Sequence, residues 1–238
     1  MTTVERPSEE SATPNGILGW VRQVTVFALI IAASLFISSG RLGWGMAWAY
    51  IGVFVVSQAL TALILIPSNP ELLTERAQKQ DDAKDWDRAL SGLVALFGPL
   101  SMWIVAGLDA RFTWSSHVSL SIQIVALAIA GLGSLLTIWA MASNKFFYGV
   151  VRIEKDDHAV ATGGPYQCVR HPGYAGGIIF DLATPLALGS WWTFIPAALT
   201  VCFIVVRTVL EDRALQDELD GYREYAQQTR YRLLPGIW

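Results

Sequence analysis

Charge is the scarcest property of this chain: Asp, Glu, Lys and Arg make up 16% of its 238 residues, against roughly a quarter in a typical soluble domain. Excess positive charge is lacking too. The 17 Lys and Arg stand against 20 Asp and Glu, for a formal net charge of −3. Phosphate-backbone binding needs clustered cations, so no nucleic-acid partner is expected. Cys168 and Cys202 lie far apart and offer neither a disulfide framework nor metal-ligand spacing. The histidines, His117, His158 and His171, form no HExxH pattern, while a catalytic zinc normally takes three protein ligands, so no metal is expected. Neither a Walker phosphate loop nor a Gly-x-Ser-x-Gly elbow occurs. Gly131-Leu132-Gly133 is too short for a dinucleotide fingerprint, and inside an apolar run its expected role is close helix packing.

What the chain has is hydrophobic length. Apolar residues make up 53% of it, with ten Trp and a mean hydropathy of +0.41. A membrane-crossing helix needs about 20 mostly apolar residues. Such runs extend from Ile17 to Ser39, from Trp44 to Ile66 (stopped by Pro67), from Ala89 to Leu108 and from Val118 to Ala142. A shorter one spans Tyr174 to Leu188, and another runs from Trp191 to Val209. The pattern predicts an all-α, polytopic integral membrane protein with about six transmembrane helices and no Rossmann domain. Gly189 and Ser190 leave almost no loop between the last two runs, which should form a helical hairpin.

Loop charges give an orientation. Odd connections carry only Arg41 and Arg111. Even connections carry Arg76, Lys79, Lys84 and Arg88, then Lys145, Arg152, Lys155 and Arg170, and the tail carries Arg213, Arg223, Arg230 and Arg232. Basic residues mark the cytoplasmic side, so both termini are expected inside. The expected organisation is a disordered polar tail over 1–16, without the basic start of a secretory signal. Four spans follow over 17–142, with a cytoplasmic loop at 67–88, and the chemistry is expected in 143–238. Asp212 to Gln228 reads as an amphipathic helix with Leu215, Leu219, Tyr222 and Tyr225 on one side, suited to lying on the membrane or capping a site.

The stretch from His158 to Gly176 is a Gly/Pro-broken loop leading into a membrane helix. Pro172 suits an early helical position, and exposed N–H groups at a helix start suit an anionic ligand group. Tyr166, Arg170, His171 and Tyr174 crowd the same membrane edge, either as site residues or as interfacial anchors. Arg207 and Glu211 lie four apart on one helix face, either as a helical ion pair or as a clamp for a carboxylate. Asp181 falls inside an apolar run, where an ionisable group is costly and marks function, unless it bonds within the bundle near Thr184.

The loop Gly164-Pro-Tyr166-x-x-x-Arg170-His171-Pro172-x-Tyr174-x-Gly176, then Arg207-x-x-x-Glu211 and a tail ending Arg230-Tyr-Arg-Leu-Leu-Pro235, together resemble the isoprenylcysteine carboxyl methyltransferase family, which is related to membrane phospholipid methyltransferases. The first two spans carry no matching motif. The resemblance implies S-adenosylmethionine as cofactor, held between the loop, the last hairpin and the C-terminal tail. It implies that Arg152, His158, Ala159, Val160, Ala161, Tyr166, His171, Pro172, Gly173, Tyr174 and Glu211 bind the cofactor. Arg207 would face the methyl acceptor as the catalytic residue. Aromatic faces suit a sulfonium cation, and methyl transfer from an activated carbon needs mainly alignment and exclusion of water. The implied acceptor is lipophilic or lipid-like: a prenylcysteine-like carboxylate, a phospholipid amine, a quinone-like molecule or a small thiol. Two other readings remain open at this point. One is an NADPH-dependent membrane reductase, which would call for more cations beside the loop. The other is a non-catalytic membrane scaffold.

Overall fold

The computed structural model describes residues 14–77, 84–149 and 159–238. Among these, every regular element is helical. The chain runs through α1 (Pro14–Ser39), α2 (Gly45–Ser68), α3 (Pro70–Ala77) and α4 (Asp85–Gly92). A short π-helical stretch (Leu93–Phe97) joins α4 directly to α5 (Gly98–Phe112). Then come α6 (Leu120–Ser143), a 3-10 turn (Gly164–Gln167), α7 (Pro172–Ala187), α8 (Phe194–Glu218) and α9 (Tyr222–Gln228).

Among the described residues, five helical segments are long and apolar enough to cross a membrane: Gly16–Ser39, Gly45–Ser68, Trp86–Phe112, Leu120–Ser143 and Phe194–Glu218. Their outward faces leave Leu29, Ile37, Leu63, Leu132 and Leu199 exposed, as befits helices solvated by lipid, where every backbone polar group is satisfied within the helix. The protein is a polytopic membrane protein. The shorter sixth run is α7, 16 residues long and so about 24 Å. It still carries the chain from one end of the bundle to the other. At one end, Asp109 of α5 accepts from Ser190 Oγ (2.5 Å) in the turn after α7, and from the Ser115 N–H (2.7 Å). At the other end, Asn69 donates to Lys145 O (3.4 Å), and Lys84 pairs with Glu218. The turn from α7 into α8 is tight, with Gly189 at φ +74°, where a Cβ would be strained.

Sequence and structure differ in three places. Pro67 does not stop the second span, because α2 continues to Ser68 with the proline in its last turn. The segment 67–88 contains α3 and the start of α4, so it is not simply a loop. The expected helix over Asp212–Gln228 is two helices. The last span runs on to Glu218, and the chain turns at Gly221 (φ +80°) before α9.

Helices α6 and α7 approach each other closely. A Cβ on Gly176 would stand 2.5 Å from Gly133 O, and one on Gly133 would stand 2.6 Å from Gly176 O. Small residues permit such contact between membrane helices. Of the expected packing pair only Gly133 is at the contact, since Gly131 faces open space.

Candidate active site

At the end of the bundle holding the α6–α7 connection lies a cavity of about 420 Å³, within the size range of small-molecule sites. Its walls come mainly from the ends of α6, α7 and α8, the segment before α7, and α9, with Gln23 of α1, Arg76 of α3 and Ala95 completing them. Ala159, Val160, Ala161, Tyr166, His171, Gly173, Tyr174, Arg207 and Glu211 all line it. Pro172 is buried at the first position of α7, outside the lining. Arg152 and His158 lie outside the described residues.

The loop is held by its tail. Arg170 N–H donates to Tyr231 O and His171 N–H to Arg232 O, both at 2.9 Å. Beneath them Asp212, fully buried, gathers three cationic or imidazole groups. Arg170 binds it through Nε (2.7 Å) and Nη2 (3.1 Å). Arg232 Nε donates at 2.8 Å, and His171 Nε2 lies 3.4 Å away. Tyr222 and Gln216 also donate to it, at 3.1 and 2.9 Å. Arg170 spends its remaining N–H groups on the carbonyls of Thr229 (2.9 Å) and Arg230 (3.0 Å). Buried charges are stable only when paired and hydrogen-bonded in this way. Arg170 therefore serves as the bolt between loop and tail.

His171 is aimed by this network. With Nε2 donating to Asp212, Nδ1 faces Glu211 Oε1 at 4.0 Å. Its ring stacks on Tyr174, centroids 5.8 Å apart and planes 12° from parallel. Tyr174 donates its hydroxyl to Glu211 Oε2. Tyr225 OH donates to Tyr166 O (2.7 Å), and Asn144 donates to Tyr166 OH (3.3 Å). Burial raises the Tyr166 and Tyr222 hydroxyls well above their ordinary range and pushes Tyr225 up to about 12. All three remain neutral hydroxyls at physiological pH.

Arg207 is already paired. Its Nε and Nη2 donate to Asp87 Oδ1 and Oδ2 (2.6 and 3.2 Å), and Nη2 also donates to Gly149 O (2.9 Å). The guanidinium carbon sits 5.3 Å from the Tyr174 ring centroid. Thus Arg207 and Glu211, four residues apart on α8, are joined through Tyr174 without forming a direct ion pair.

Several lining residues escaped the sequence reading. Arg76 of α3 donates to Phe147 O (3.2 Å) and lies over the Phe147 ring. Burial, with Arg207 nearby, lowers its pKa. Asn144 and Phe147 also contribute. The helical spacing of Leu215, Leu219, Tyr222 and Tyr225 did signal a shared face. All four line the cavity, but from two helices bent around it.

Fold and site together define a polytopic membrane protein with an amphiphilic, ligand-sized cavity at one end of its helix bundle. Comparison with known proteins narrows this further. Residues 120–219 match the family model of phospholipid methyltransferase. The chain is also 32% identical over 111 residues to the protein-S-isoprenylcysteine O-methyltransferase of Schizosaccharomyces pombe, covering 45% of this chain and 47% of that protein. The similarity thus spans about half the length of the curated relative. Both findings bear out the resemblance to the isoprenylcysteine carboxyl methyltransferase and phospholipid methyltransferase group. The residues matched by the family model carry much of the cavity's lining, His171, Tyr174, Arg207 and Glu211 among them.

Proposed function

We propose that the protein is a membrane methyltransferase that binds S-adenosylmethionine in the 420 Å³ cavity and methylates a lipophilic acceptor at the cytoplasmic face. The observation carrying this reading is the convergence of Glu211, His171, Tyr166 and Tyr174 on one cavity, within the segment that matches methyltransferases.

The residues fit the cofactor's chemistry. Bound there, S-adenosylmethionine supplies a methyl group already activated on a sulfonium sulfur. Glu211 accepts hydrogen bonds from an ammonium or from ribose hydroxyls. His171 and the first N–H groups of α7 suit a carboxylate. The faces of Tyr166 and Tyr174 suit a sulfonium cation. Ala159, Val160 and Ala161 present small apolar contacts, and the α9 tyrosines help keep water out, which favours displacement at an activated carbon. Arg152 and His158 belong to the proposed cofactor set by resemblance.

Arg207 remains the proposed catalytic residue facing the acceptor, with one refinement. Its bidentate partner is Asp87, so an acceptor carboxylate would have to displace that pair, whereas an acceptor lying along the Tyr174 ring would leave it intact. Residues 143–238 form the proposed catalytic part. The orientation follows from the cations Arg76, Lys84, Arg88, Lys145 and Arg170 gathered at the cavity end, which the positive-inside rule places in the cytoplasm together with both termini. The test is calorimetric titration of S-adenosylmethionine into purified protein, with Glu211→Ala as the control.

A further inference from the structure

A second cavity, of about 390 Å³, opens deeper in the bundle. It shares Gln23, Arg76 and Thr137 with the first, so the two adjoin. Phe27, Phe54 and Trp103 give it apolar walls. Its serine and threonine hydroxyls are spent on backbone carbonyls, and the Tyr50 hydroxyl is engaged by Thr184 and Trp103. Ser57 donates to Phe54 O (2.7 Å), Thr61 to Ser57 O (2.9 Å) and Thr137 to Gly133 O (3.2 Å).

Asp181 is different. It lines this cavity at 9% exposure, and among the described residues it makes no hydrogen bond or ion pair. Thr184, its neighbour on α7, is taken by Phe180 O (2.9 Å) and Tyr50 OH (3.1 Å). A carboxyl group inside a membrane bundle is costly and normally finds a partner. Seven residues along α7 separate Asp181 from Tyr174 of the first cavity, about 10 Å of helix.

We propose that the second cavity holds the body of the methyl acceptor and that Asp181 determines its specificity by accepting a hydrogen bond from a hydroxyl or amine within it. The acceptor is then an amphiphile with a second polar group about 10 Å from the tyrosine-lined methylation site, not a plain hydrocarbon chain. This rests on the reading of the first cavity as the cofactor site. Gly177 offers an independent handle. It lines the same cavity one turn before Asp181, and a Cβ there meets nothing within 4 Å, so there is room to begin a larger side chain.

The probes are 1-dodecanol and 1-methoxydodecane, which match in chain but differ in the ability to donate. Both are titrated calorimetrically into protein reconstituted in phosphatidylcholine nanodiscs, with protein-free nanodiscs subtracted. S-adenosylmethionine affinity is measured on the same samples. The expected result is tighter binding of the alcohol by about tenfold, the scale of one hydrogen bond to a carboxylate. Asp181→Leu removes that preference, Gly177→Leu weakens both probes, and neither variant changes cofactor affinity. Cofactor binding by the unaltered protein, with equal binding of the two probes or a preference that survives Asp181→Leu, overturns the role of Asp181 alone. Absence of cofactor binding overturns the reading on which it rests.

Discussion

Arg170 and Asp212, 42 residues apart, are joined by two hydrogen bonds of 2.7 and 3.1 Å with both side chains buried. That pair fastens the segment before α7 to the last span and, through Arg232, to the C-terminal tail. Asp212→Ala leaves Arg170 buried and unpaired, and removal of one partner from a buried pair costs about 3–5 kcal/mol. Thermal unfolding in detergent should show a large fall in midpoint. Asp212→Asn, which keeps the shape and some acceptors, should fall less.

The Arg207–Asp87 pair gives a different signature. Asp87 is fully buried, so Arg207→Leu and Asp87→Leu should each destabilise the protein, while the double substitution should cost less than their sum. The coupling expected between two directly bonded residues is about 0.5–3 kcal/mol, read from a double-mutant cycle of unfolding midpoints. For function, Arg207→Ala should lower turnover more than S-adenosylmethionine affinity, as expected of a group assigned to the acceptor.

Packing between α6 and α7 makes a third test. Gly176→Val places a branched side chain where backbone already stands 2.5 Å from the Cβ position. Overpacking of this kind costs about 1–3 kcal/mol. At Gly131 on α6 an added Cβ meets nothing within 4 Å, so Gly131→Val should leave the unfolding midpoint near that of the parent.

Topology is open to chemistry as well. Cys168 is exposed at the cavity end of the bundle. A membrane-impermeant maleimide should label it in inverted vesicles or after permeabilisation, and not in intact cells. Labelling of Cys168 from outside would reverse the orientation.

The helices were legible because hydrophobic length is a local property. Each of the six apolar runs is helical, and five of them are long and apolar enough to cross a membrane; the last extends well past Val209, to Glu218. The site was legible only in part. Loop residues such as Tyr166 and His171 stand in a motif, so position along the chain announced them. Arg76, Asp87 and Asp212 carry no local pattern that separates them from surface charges. Their roles arise from partners distant in the chain, more than 40 residues away in the cases of Arg170 with Asp212 and Asp87 with Arg207. The break at Gly221 was hidden for a related reason. The apolar spacing across it is helical, and only the left-handed turn shows that the shared face is built from two helices.

The most direct test of the account is calorimetric titration of S-adenosylmethionine, S-adenosylhomocysteine and NADPH into detergent-purified protein and its Glu211→Ala variant. Saturable binding of the first two, strongly weakened in the variant while its unfolding midpoint is unchanged, is the predicted result. Binding of NADPH alone, or of none of the three by folded protein, would contradict the assignment of the cavity to a methyl donor.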